Sequence, residues 1–417
     1  MKVRAIRAAL CATGLMLGVS AVQAAESVEV LHWWTSGGES KAVSVLKDDM
    51  SKQGYSWKDF AVAGGAGAAA MTALKTQVIS GNSPSAAQIK GPLIKEWADQ
   101  DVLVPVDSIA KSESWKKNLP PEIDKIMQAD GHYVAAPFSV HRVNWLYINK
   151  AALEKAGGKV PTTWPDFFAV ADKMKAAGII PIGMGGQPWQ DLTLWEDVVL
   201  SQGPDFYRKA LVDLDQNTLT SPQMAQVFDT VRKIQGYFDN GRTGRDWNLA
   251  TAMVINQKAG MQFMGDWAKG EFASANKKPG TDYICAAVPG TEKSYTFNVD
   301  SFVFFKQKGQ GGATPGQLAM AKTIMSPSFQ EQFSLYKGSI PVRLGVNMAK
   351  YDDCAKKSYA DEQVAIKTGG YVPSLAHGMA QPDAVAGAIT DVVTKFMNSQ
   401  QSTQEAVKAL AQAAKTK

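Results

Sequence analysis

Cysteine and histidine are scarce in this chain of 417 residues, and neither sign of charge is in excess. Its three cysteines and four histidines are scattered with no recurring ligand spacing, which argues against a metal centre. Lys and Arg number 44 against 39 Asp and Glu. That near balance argues against a nucleic-acid partner, which selects for a clustered basic face. No apolar run reaches the roughly 18–20 residues that cross a bilayer as a helix. The nucleophile-elbow pattern G-x-S-x-G is missing. No internal repeat or long linker of low complexity breaks the chain.

What is present begins with the first residues. Lys2, Arg4 and Arg7 precede an apolar stretch from Ala8 to Val19, and Ala21-Val22-Gln23-Ala24 follows with small residues at the cleavage positions. This pattern predicts a secretory signal over residues 1–24 and an exported, soluble product. A membrane anchor is the competing reading, and the stretch is too short for one. Cys11 stands too early for lipid attachment. The leader holds three basic residues and no acidic one, so the remainder carries a net charge near +2. About 390 residues exceed what one core holds, which predicts two domains. Cys285 and Cys354 remain. An oxidising compartment permits one disulfide between them, and two separate buried thiols fit the sequence equally well.

Val28–Trp34 reads as a first strand, followed by a polar turn and a helix with Val43, Leu46 and Met50 on one face. A second strand near Trp57–Val62 runs into Gly64-Gly65-Ala66-Gly67 and a helix that ends at Gly81. A third, Ala86–Ile89, ends on Lys90. Extended segments follow at Gly131–Pro137, Val143–Lys150 and Ile179–Ile182. A helix capped by Thr163 lies between the last two. The middle, from Trp189 to Asn240, is mostly helical. Ala259–Trp267 and Tyr295–Phe305 return to strand, and the tail from Val385 is helical. Strands alternating with helices predict parallel sheets in an α/β fold. The chain crosses between two lobes several times.

Aromatic and charged residues fall at the ends of these strands, where ligands of open α/β sheets bind. Flat indole rings cover the C–H faces of a pyranose, and ionised or amide side chains grip its hydroxyls. Trp33 and Trp34 end the first strand, and Glu39 follows in the next turn. Lys90 closes the third strand, with Gln88 two residues before it on the same face. Trp267 lies in the turn Gly265-Asp266-Trp267, and Trp247 in Gly244-Arg245-Asp246-Trp247. Asp300 interrupts an apolar strand, so once buried it needs a partner. His377 sits in the loop Ala376-His377-Gly378. These nine are the candidate ligand-binding residues. Core packing is the competing reading for the tryptophans, and a solvated surface position for Lys90 and His377.

In their order and spacing these pieces resemble the exported solute-binding proteins of ATP-driven carbohydrate importers, and most closely pseudomonad-type glucose-binding proteins. The resemblance is carried by Val30–Glu39, Ala135-Ala136-Pro137, Tyr147–Lys150, Pro161–Trp164, Phe263–Trp267 and Gly338–Val342, and covers nearly the whole chain beyond the leader. It implies a two-lobed periplasmic binding protein fold of type II, like maltose-binding protein, with a sugar held in the interlobe cleft. The lobes are expected at 25–135 plus 296–341 and at 136–295 plus 342–417, with hinge segments near 134–138, 293–297 and 340–344. Trp33, Trp34, Glu39, Lys90, Trp267, Asp300 and His377 fall where relatives contact sugar; Trp247 and Gln88 match less distinctively. The implied partners are a monosaccharide, glucose first, and an inner-membrane ABC permease. The implied protein is a periplasmic monomer without cofactor, metal or catalytic residue.

Two other readings compete with this one. Gly65-Ala66-Gly67-Ala68-Ala69-Ala70 fits the dinucleotide form G-x-G-x-x-A, but Gln88 and Lys90 stand where its ribose-binding acid belongs. A secreted glycoside hydrolase needs two opposed carboxylates, for which Glu39, Asp266 and Asp300 are the candidates. A short oligosaccharide is the other ligand to test.

Overall fold

Alternating apolar residues drive β1 (Ser27–His32), whose Val28, Val30 and Leu31 are buried. They belong to a computed structural model that describes residues 25–416. The leader expected at 1–24 lies outside the described residues. The remaining strands are β2 (Ser56–Ala61), β3 (Ala86–Gln88), the hairpin β4 (Gln128–Ala129) and β5 (His132–Tyr133), β6 (Ala135–Arg142), β7 (Trp145–Asn149), β8 (Ile180–Ile182), β9 (Ala259–Phe263), β10 (Tyr283–Ala287), β11 (Tyr295–Phe304), β12 (Ile340–Pro341) and β13 (Tyr371–Pro373).

They form two larger sheets, each with its own apolar core. The seven-stranded sheet runs β12-β6-β11-β3-β1-β2, with β13 paired to β11. Helices Gly37–Lys52 and Ala68–Ile79 join β1, β2 and β3 into a parallel trio. The second sheet has four strands in the order β10-β7-β9-β8. The expectation of wholly parallel sheets is corrected. β11 returns from the second lobe into the middle of the first sheet and runs antiparallel to both β3 and β6. In the second sheet only β8 and β9 are parallel. Repeated crossing reverses the strand direction, which local periodicity cannot show.

The first crossing was expected near 134–138. β6 instead stays paired with β11 as far as Arg142, so the step to β7 falls at Val143-Asn144. Buried Asn144 ties the crossing segments together. Its Nδ2 donates to Thr291 Oγ1 at 3.0 Å and to the Ser294 carbonyl at 3.1 Å, and its Oδ1 accepts from Thr296 N at 3.0 Å. Arg142, fully buried, stacks over Trp145 at 4.2 Å and pairs with Asp361.

Glycines set how closely the lobes approach. A Cβ on Gly38, at the start of the first helix, would lie 2.7 Å from the backbone carbon of Gly270. Gly38 N donates to Glu271 Oε1 at 2.9 Å in the same contact. A Cβ on Gly65 would fall 2.5 Å from the Trp189 ring. Thus the glycine-rich stretch after β2 admits an indole of the other lobe.

Cys285 in β10 and Cys354 in helix Asp353–Thr368 are joined by a disulfide, their Cα atoms 6.1 Å apart and 69 positions distant in sequence. This resolves the choice the sequence left open. The loop it closes contains β11, β12 and the helices between them. Reducing it should lower the unfolding free energy by about 2–4 kcal/mol through the larger freedom of the unfolded chain. Urea titrations of oxidised and reduced protein check this; equal midpoints would show that the bridge carries no stability.

Candidate functional site

Both lobes send side chains into one narrow, partly open chamber. From the first lobe come Trp33 and Trp34 after β1, Glu39 in helix Gly37–Lys52, Lys90 after β3, and Asp300 in β11. From the second come Trp247, Trp267 and His377. Eight of the nine sequence candidates therefore share one cavity. Gln88 does not line it but lines the adjoining gap and stands behind Asp300. Its Nε2 donates to Asp300 Oδ1 at 3.2 Å.

Trp33 and Trp34 play different parts, as opposite-facing neighbours must. Trp34 is 3% exposed and stands edge-on to Phe138 and Phe302 at 5.8 and 5.7 Å. Both indoles line the chamber, and Trp33, 8% exposed, is the less deeply packed. Gly67 backs that ring: a Cβ there would lie 2.8 Å from it. Lys90 Nζ stands 5.2 Å from the Trp33 centroid. Across the chamber Trp267 packs against His377 at 4.9 Å and Trp189 at 6.3 Å.

The charges are held by neighbours. His141, 1% exposed, lies between two buried carboxylates, with Nδ1 2.5 Å from Asp266 Oδ1 and Nε2 2.8 Å from Asp300 Oδ2. Burial opposes its protonation, but Asp266 and Asp300 outweigh burial and raise its pKa. Burial likewise opposes ionisation of Asp300, while His141, Lys90 and Lys337 prevail and hold its carboxyl far below the usual range. Burial, partly offset by Asp300, pushes the Lys90 ammonium down to about 8. Glu39 has both oxygens engaged. Oε2 accepts from Thr35 N and Ser36 N at 3.2 and 3.3 Å, and Oε1 meets Lys337 Nζ at 3.1 Å.

Two acceptors at the wall, His377 Nε2 and Asn298 Oδ1, are buried with no hydrogen-bond partner. Burial and the charges of Lys90 and His141 hold the His377 pKa far below the ordinary value, so its ring is neutral.

Sequence reasoning missed Trp189, His141, Asn298 and Lys337, all of which reach the chamber. Asn298 was within reach, since it precedes Asp300 by two residues on one strand and shares its face. His141 lies in a strand that the pattern ended too early. Trp189 starts a helix and Lys337 ends one, positions that carried no signal.

Two α/β lobes closed over a chamber walled by indoles and charged groups define a solute-binding protein by architecture. The family model described as bacterial extracellular solute-binding protein matches residues 54–318, and the chain belongs to that family. It is 50% identical over 413 residues to a probable sugar-binding periplasmic protein of Brucella melitensis, covering 98% of this chain and 97% of that one. A protein of the same description from Rhizobium meliloti is 50% identical over 393 residues, 94% of each chain. Among solved structures, a chitin oligosaccharide binding protein superposes with a TM-score of 0.80 at 18% identity, over 94% of this chain and 98% of that one. Maltose-bound MalE3 of T. maritima gives 0.71 at 18%, over 94% and 99%. At such identities these likenesses show the fold, which is the two-lobed, maltose-binding-protein-like one.

The raised pKa of His141 makes its stabilising contribution complete below about pH 6.5, fading as pH climbs through the folded value. The lowered pKa of Asp300 makes its contribution complete above about pH 3.9, fading as pH falls through the folded value. Both are therefore at full strength between roughly pH 4 and 6.5. His141→Ala removes the one cation hydrogen-bonded to both buried carboxylates, and at pH 6 should lower stability by about 3–5 kcal/mol. Urea unfolding measures this; a loss below 1 kcal/mol would contradict the assigned ion triad.

Proposed function

We propose that this protein captures one pyranose, D-glucose, between its lobes and presents the closed form to the permease of an ABC importer. The observation that carries the reading is the pair of buried, unpartnered acceptors, His377 Nε2 and Asn298 Oδ1, on residues that line the chamber. A buried acceptor left unpaired costs about 1–3 kcal/mol, and the hydroxyls of a sugar relieve that. The indoles of Trp33 and Trp267 suit its C–H faces. Resemblance to pseudomonad-type glucose-binding proteins supports glucose among the hexoses. The periplasmic description of the relatives supports the periplasm as the compartment and a leader at 1–24.

A short oligosaccharide is the second reading. It is favoured by a wider gap of about 420 Å³ that shares Trp33, Lys90, Trp189 and His377 with the chamber. A hydrolase is not favoured. Glu39 is tied to its helix cap and Lys337, and Asp300 is bound by His141 and Gln88 with a lowered pKa. Neither is suited to donate a proton to a leaving group.

Calorimetric titration against monosaccharides and short oligosaccharides tests the reading. D-glucose should bind with a micromolar Kd, about −8 kcal/mol, and be returned unchanged. Trp267→Ala and Asp300→Ala should each weaken binding by about 2–3 kcal/mol with the cooperative unfolding retained. Tighter binding of a trisaccharide than of any single sugar would favour the second reading, and wild-type affinity in both variants would remove the site.

A further inference from the structure

Behind His377 runs a line of buried polar groups that none of the binding contacts requires. Glu196, in helix Pro188–Leu200, is 0% exposed. Its Oε2 accepts from the backbone N–H groups of Leu375 and Ala376 at 2.8 and 3.1 Å, and its Oε1 lies 2.6 Å from Ser374 Oγ. Ser374 Oγ is in turn 2.9 Å from His377 Nδ1 and 3.2 Å from the His377 backbone N.

The hydrogens in this line can be assigned by counting. A hydroxyl has one proton to donate and two lone pairs, and a carboxylate only accepts. Ser374 therefore donates its proton to Glu196 Oε1. Of its two lone pairs, one accepts from the His377 backbone N–H. The other faces ring Nδ1, which must carry the proton of the neutral imidazole. Nε2 is then a bare lone pair, and it is the buried atom without a partner at the chamber wall.

We propose that Glu196 and Ser374 form a relay that locks His377 in the Nδ1–H tautomer, so that the site accepts at Nε2 only a ligand group that donates a hydrogen. The ligand side rests on the monosaccharide reading; the lock is a property of the unliganded protein. A hydroxyl satisfies Nε2, whereas a methyl ether oxygen or a fluorine sets lone pair against lone pair. Glu196 and Ser374 do not line the chamber, so both are positioning residues acting through His377. The other side of their loop is tied by Tyr207, whose hydroxyl donates to the Pro373 carbonyl at 2.8 Å.

The test is the long-range proton–nitrogen correlation spectrum of the imidazoles in nitrogen-15-labelled protein without sugar, with His377 assigned by its loss in His377→Gln. Burial pushes the Glu196 carboxyl up to about 7, so the spectrum is recorded at about pH 8 to ionise it. Wild type should show a protonated Nδ1 and an unprotonated Nε2. In Glu196→Gln the carbonyl stays on the two backbone N–H groups and the amide donates to Ser374. Ser374 then gives its proton to Nδ1, and the pattern inverts to Nε2–H. Wild-type His377 protonated on Nε2, or a Glu196→Gln spectrum unchanged from wild type, overturns the relay.

Calorimetry with D-glucose and its monodeoxyfluoro derivatives gives a second readout in Ser374→Ala. Wild type should reject fluorine at one ring position by about 10-fold or more, and Ser374→Ala should discriminate less there. Undiminished discrimination overturns the relay. If the tautomer pattern holds and glucose does not bind, the monosaccharide reading fails and the relay stands.

Discussion

A protonated imidazole clamped between two buried carboxylates is the constraint on which the chamber depends. His141 comes from β6, Asp300 from β11, and Asp266 from the turn after β9 in the other lobe. An isolated carboxylate in this setting would take up a proton, because burial disfavours charge. His141 is hydrogen-bonded to both acids, Arg142 N donates to Asp266 Oδ2 at 3.0 Å, and the charges of Lys90 and Lys337 also favour ionised Asp300. Asp300 thereby faces the chamber as an acceptor, and the Asp266 turn that carries Trp267 is held in place. Removing the cation reaches both the charge pattern and the aromatic wall.

Around that clamp the remaining groups divide by what they still lack. Glu39, Asp300 and Gln88 have partners within the protein. His377 Nε2 and Asn298 Oδ1 do not. A site in which most polar groups are satisfied and a few acceptors are left open is preorganised: little has to rearrange when a hydroxyl arrives. Closure of the lobes then rests on glycine. Gly38 against Gly270 and Gly65 against Trp189 allow approaches that a methyl group would block.

Much of this was legible in the sequence, and the exceptions have physical causes. The first parallel strands, the Thr163 cap, the strand ends bearing Trp33 and Lys90, and the strand that Asp300 interrupts followed from periodicity and turn residues, which are local. The antiparallel placement of β11 was not legible, because it depends on a crossing that no local pattern encodes. Trp34 lines the chamber but is packed deeper than Trp33, and Gln88 stands behind Asp300. Adjacency to a strand end does not say which of two neighbours packs deeper, and a polar residue on the right face can serve a second polar residue instead of a ligand. His141 was hidden because its partners lie 125 and 159 positions away. Lys337 was hidden because a lysine ending a helix is ordinarily read as favourable to the helix dipole. The disulfide needed distance, which two isolated cysteines do not supply.

The most direct measurement of the central claim is a crystal structure of the protein grown with D-glucose. The account predicts one pyranose between the Trp33 and Trp267 rings, with separate hydroxyls within about 3 Å of His377 Nε2 and Asn298 Oδ1. A sugar bound elsewhere, or one that leaves both of those acceptors unpaired, would contradict it.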